Sequence, residues 1–262
     1  MEIKNIFRQV NLFYMLVFLF TGLLYGLSSF ICKTLMLGFA ETVLLTTMSA
    51  QLAPSLAAII SKKRYSETIK FFVKPELNWS WLLIIIVPFV SVYSQYLILQ
   101  STGQSFIKSP FFTTPSILIF TVITTLIGSI GEEIGWRGYL YIILRKHIKP
   151  WVSSLITGLL WGLWHFTKIF QLGFAHYCLF TLSVIPVSML MTYINNQAKG
   201  SILPSILFHT FLNLSFMYLL FERETIVGYL ISILVLSIIL LFIRFIDQEY
   251  FKQNTIDNQN YD

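Results

Sequence analysis

Apolar residues run through this chain in long unbroken blocks separated by short polar segments, a pattern too extended for strands of a soluble core and fitted to helices that cross a bilayer. The first block, Gln9 to Cys32, contains no Asp, Glu, Lys or Arg. It is longer than a signal-peptide core and has no convincing small-x-small cleavage site, so it reads as a retained helix. Further blocks follow at about Thr42 to Ser61, Trp79 to Gln100, Pro115 to Gly131, Trp151 to Thr167, Ile169 to Ile194, Ile202 to Phe221 and Ile226 to Ile243. The pattern predicts an all-α, polytopic membrane protein of about eight transmembrane helices, forming one domain over residues 1–262. Neither a repeat of fixed period nor a low-complexity tract interrupts it, and the tail after Gln248 is expected to fray.

Composition agrees with that pattern. Hydrophobic residues make up 56% of the 262 positions and charged residues 11%, with a mean hydropathy of +0.73. A soluble globule of this size could not cover such a chain with polar surface, and disorder is excluded by the same balance. Cys32 and Cys178 both lie in apolar stretches, where small packing residues are expected rather than a disulfide. Pro54, Pro88, Pro186 and Pro204 fall within or at the edges of spans, where neighbouring helices can satisfy the freed carbonyls.

The net charge of +6 describes topology rather than a nucleic-acid partner, because the basic residues form no aromatic-interleaved stripe. With the N-terminus in the cytoplasm, only Lys33, Lys108, Lys168 and Arg223 of the 18 Lys and Arg fall on the opposite side. Both termini are therefore expected to be cytoplasmic, with anionic lipid headgroups beside the basic loop from Lys62 to Lys74.

Ionisable residues inside a bilayer are costly and so mark function by default. The segment Gly131-Glu132-Glu133-Ile134-Gly135-Trp136-Arg137-Gly138 carries three of them. Glu133 and Arg137, four apart, share a helix face and can neutralise one another; Glu132 points about 100° away and has no local cation. His165 follows in Trp161-Gly162-Leu163-Trp164-His165, and His209 and Asn213, also four apart, can face one cavity. At about 1.5 Å per residue, Glu132 lies about 20 Å from Arg145, His165 about 21 Å from Trp151 and His209 about 15 Å from Lys199, so a common level is expected if the helix carrying Glu132 continues to Arg145. His147 in the basic Arg145 to Lys149 segment and His176 near a span end are expected to lie outside any site, and Glu41 is expected to anchor a helix end.

Such a set can activate water against a carbonyl and hold the resulting oxyanion, the needs of peptide hydrolysis. A proton-coupled transporter could use the same residues. No H-E-x-x-H helix, Walker loop or dinucleotide fingerprint is present.

Three motifs in order, Glu132-Glu133-x-x-x-Arg137, the aromatic-x-x-x-His ending at His165, and His209-x-x-x-Asn213, resemble those of the CPBP family, which comprises type II CAAX prenyl proteases and bacteriocin-processing or Abi proteins. The approach Gly200-Ser201-Ile202-Leu203-Pro204-Ser205-Ile206-Leu207-Phe208-His209 is similar as well, and Trp161 stands where the family often has Phe. The resemblance, covering about residues 120–220 with the catalytic helices within about 115–221, implies an intramembrane endopeptidase. It makes Glu132 the catalytic glutamate polarising water with His165, gives His209 and Asn213 the oxyanion, and leaves Glu133 and Arg137 as structural support. It favours glutamate-type chemistry with no metal and no cofactor over zinc, since a ligated Glu132 could not serve as base. The expected partners are membrane lipid and a peptide or protein substrate, with no nucleic acid. Such a substrate is a bacteriocin, a signalling-peptide precursor or a leader peptide at a bacterial plasma membrane. A transporter, against which the lack of paired broken helices weighs, and a non-catalytic immunity protein are the competing expectations.

Overall fold

The computed structural model describes residues 2–71, 74–104 and 106–253. Among these residues every regular element is a helix, with no strand. In order come α1 (Glu2–Thr34), α2 (Phe39–Gln51), α3 (Ala53–Arg64), α4 (Leu83–Ser101), α5 (Pro115–Gly135), α6 (Tyr141–Arg145), α7 (Pro150–Trp164), α8 (Lys168–Leu172), α9 (Phe174–Gln197), α10 (Leu203–Leu219), α11 (Ile226–Ile246) and α12 (Gln248–Lys252).

Among the described residues, six helical rods are long and apolar enough to cross a bilayer: Lys4–Thr34, Phe39–Arg64, Trp79–Ser101, Pro115–Arg145, Phe174–Gln197 and Ile226–Ile246. The protein is a polytopic membrane protein. Two of the eight expected spans are shorter, α10 with 17 residues and α7 with 15. At 1.5 Å per residue they reach about 26 and 22 Å, less than the roughly 30 Å of hydrocarbon. The span expected from Ile169 is also interrupted, because Gly173 at φ +91° separates α8 from α9, a backbone conformation that L side chains rarely adopt. The tail corrects another expectation: Gln248–Lys252 is helical and capped by Asp247, which accepts from the Tyr250 amide at 3.1 Å. Residues 254–262 of that tail lie outside the described part.

Two features place the site. A π-helical turn, Trp136–Leu140, joins α5 to α6, so the helix bearing both glutamates continues to Arg145 rather than breaking into a separate interfacial helix. Turns of this kind insert one residue into a helix and recur at functional sites. Second, α2 and α3 lie against α5 at backbone contact, because Gly128, Gly131 and Gly135 place no Cβ in the way. A Cβ there would fall 2.0 Å from Gln51 Oε1, 2.6 Å from Gln51 O and 2.3 Å from Pro54 Cβ, respectively. Small residues at such intervals let membrane helices pack where lipid offers no hydrophobic drive. α10 covers another side of α5, and α7 packs on α9.

Polar contacts sort the loops to two ends. At one end Gln9 donates to Glu67, Lys146 pairs with Glu67, Lys199 with Glu76 at 3.0 Å, and Gln197 donates to Asp247 at 2.7 Å. At the other, Lys168 pairs with Glu224. The helices nearest the two chain ends thus share one face with the basic loop, the grouping that the charge distribution requires. Cys32 and Cys178 are free.

Candidate active site

Glu132 and Glu133 end α5 one turn before the π-helical segment, and both are sealed from the surroundings, at 1% and 0% exposure. Glu133 Oε1 accepts from Arg137 Nη1 at 2.9 Å, the i,i+4 pair that the spacing predicts. The Arg137 guanidinium also lies over the Trp161 ring, 4.2 Å from its centroid, a cation–π contact in a dry setting.

From α10, His209 reaches across to both glutamates. Its Nδ1 is 2.9 Å from Glu133 Oε1, and its Nε2 is 4.0 Å from Glu132 Oε1. A carboxylate held by Arg137 can only accept, so Nδ1 carries the proton and Nε2 faces Glu132. Glu133 therefore does more than pair with Arg137, because it orients the imidazole.

Glu132, which the spacing leaves without a local cation, receives two neutral donors instead. Gln51 Nε2 donates to Oε1 at 2.8 Å, and Trp161 Nε1 donates to Oε2 at 2.6 Å. Sequence reasoning assigns neither residue a role. The signals available were a Gln beside a proline in an apolar block and the Gly128, Gly131 and Gly135 stripe that admits it.

His165 caps the C-terminus of α7. Its Nδ1 bonds the Trp161 carbonyl at 2.9 Å, and its ring sits among Trp164 and Phe180, at 4.8 and 4.9 Å between centroids. Among the described residues it makes no polar contact with Glu132; Trp161 stands between them, bonded to both. The imidazole nearest the Glu132 carboxylate is that of His209, at 4.0 Å. Asn213 follows one turn after His209 on α10, half-buried and without a side-chain hydrogen bond among the described residues. His147 is exposed, and the His176 ring lies 6.5 Å from that of Tyr229.

No three His, Cys, Asp or Glu side chains among the described residues are grouped to hold a metal ion. Several buried polar atoms beside the glutamates, Glu133 Oε2, Arg137 Nε and Nη2 and Trp136 Nε1, lack hydrogen-bond partners among the described residues. Buried groups are seldom left so, and their concentration at one level separates this region from ordinary packing.

Residues 114–215 match a family model described as type II CAAX prenyl endopeptidase Rce1-like. That stretch contains all three motifs. The chain is 25% identical over 233 residues to the CAAX prenyl protease 2 of Methanococcus maripaludis, covering 77% of this chain and 86% of that protein. It is 26% identical over 206 residues to the lysostaphin resistance protein A of Staphylococcus haemolyticus, covering 74% of this chain and 55% of that protein.

Proposed function

We propose that this chain is a membrane endopeptidase of the CPBP family, in keeping with the match of residues 114–215 to the type II CAAX prenyl endopeptidase model, and that it hydrolyses a peptide bond in a membrane-associated peptide or protein, with Glu132 as the base that deprotonates water. The observation that carries this reading is one arrangement: a buried carboxylate held by neutral donors, 4.0 Å from an imidazole whose far nitrogen is fixed by a second carboxylate. Counting charges supports it. Glu132 and Glu133 offer two negative charges against Arg137, so the buried cluster is neutral with one proton placed on either Glu132 or His209. One mobile proton between two adjacent groups suits general acid and base work.

In the proposed reaction, water attacks the scissile carbonyl carbon and its proton passes to Glu132, with His209 beside it. The charge on the former carbonyl oxygen falls to the Asn213 side-chain amide, which has no partner of its own among the described residues. As the carbon–nitrogen bond breaks, the stored proton returns to the leaving amine, giving a new carboxylate end and a new amino end. The Glu133–Arg137 pair keeps His209 aimed. This scheme assigns no step to a metal. Chelators should leave activity intact, and zinc-restorable loss would contradict it.

The substrate class proposed is a bacteriocin, a signalling-peptide precursor or a leader peptide at a bacterial plasma membrane; prenylation and lysostaphin resistance belong to the names of the two relatives. The test compares peptides recovered from membranes of cells carrying wild-type or Glu132→Gln protein. The reading requires products that vanish with the variant while its abundance holds, and it fails if the two sets coincide.

A further inference from the structure

The geometry points to Gln51 and Trp161 as positioning residues that clamp the Glu132 carboxylate, one donor on each oxygen, and so set the direction in which it meets water. The inference rests on the reading of Glu132 as base. Each donor comes from a different element, Gln51 from the end of α2 and Trp161 from the last turn of α7, so the clamp fixes the carboxylate plane against both walls of the site. Fixed N–H donors also replace the hydration that an ionised carboxylate loses on burial. Local structure is arranged around Gln51. The α2 helix stops beside it at Leu52, Pro54 opens α3, and the missing side chain of Gly128 leaves its amide room. A phenylalanine at 161 would still place a ring beside Arg137 and His209 but could donate nothing to Glu132. Here the indole N–H supplies that donor.

The test uses full-length Trp161→Phe and Gln51→Leu in membranes, with Glu132→Gln as the reference that defines the products. Trp161→Phe keeps an aromatic ring beneath Arg137 and removes the donor, so product formation per molecule, corrected for abundance, should fall about 10- to 100-fold, the scale of a small misplacement of a reacting group. Unchanged or faster formation, or a fall that only tracks abundance, would overturn the clamp. A second readout needs no substrate. In ¹⁵N-indole-labelled protein, the resonance absent from Trp161→Phe identifies this N–H, which should lie downfield in wild type and move upfield in Glu132→Gln. An unmoved resonance overturns the clamp whatever the activity. A moved resonance with full activity in Glu132→Gln leaves the clamp standing and removes the base assignment instead.

Discussion

The Arg137 guanidinium shows how much one residue can carry. It is sealed from lipid and water, pairs with Glu133 and lies over Trp161. Arg137→Ala leaves Glu133 charged and buried without its cation, a loss of about 3–5 kcal/mol for a broken buried pair. Membrane abundance and detergent melting temperature should both fall. Glu133→Gln is milder, since an amide oxygen can still accept from His209. It should keep most of the protein while slowing cleavage, measured per molecule, and wild-type rates would return Glu133 to a purely structural role. At this scale the sequence was informative about which side chains matter and less so about which ones meet. Spacing gave the Glu133–Arg137 pair because both lie on one helix. It could not give His209 rather than His165 as the neighbour of Glu132, because residues on separate helices share a depth without fixing the direction each helix faces.

The stripe on α5 carries the argument at the level of elements. Gly135 meets Pro54 so closely that Gly135→Ala must push α3 away from the helix bearing both glutamates, whereas Cβ atoms at Gly22 and Gly26 of α1 would meet nothing within 4 Å. Gly135→Ala should lower melting temperature and activity together. Gly26→Ala should be neutral or stabilise by about 0.5–1 kcal/mol, the ordinary gain from replacing a helical glycine. Equal effects of the two would show that backbone contact between α3 and α5 is not what seats the site. Periodicity located every long helix, yet it left Gly128, Gly131 and Gly135 unread, because a packing stripe has meaning only once its partner helix is known. The short α7 and α10 read as full spans in the sequence, because hydropathy reports that a segment is apolar and not where its helix ends.

Across the whole molecule, charge separates the two ends and one of them is tied by Lys168, Glu224 and Tyr229. Burial alone would raise the proton affinity of Glu224. The Lys168 ammonium and the Tyr229 hydroxyl outweigh it and hold the carboxyl below the usual glutamate range. A depressed value contributes stability above the unfolded pKa of about 4.3 and loses it as pH falls through the lower folded value. Melting temperature in detergent should therefore drop more steeply below about pH 4 in wild type than in Lys168→Met, which lacks the tie throughout. Parallel curves would remove the tie from the account. Labelling of single cysteines placed at residues 8 and 247 should report the same side as one in the Lys62–Lys74 loop, and opposite sides would contradict the grouping of ends.

The central claim is that Glu132, beside His209, takes the proton from water. Purified wild-type and Glu132→Gln proteins in liposomes, each given a synthetic peptide chosen from those lost in Glu132→Gln cells, test it most directly. The account predicts two new peptide ends from wild type and none from a Glu132→Gln protein with the same melting temperature. Cleavage by Glu132→Gln at the wild-type rate would contradict it.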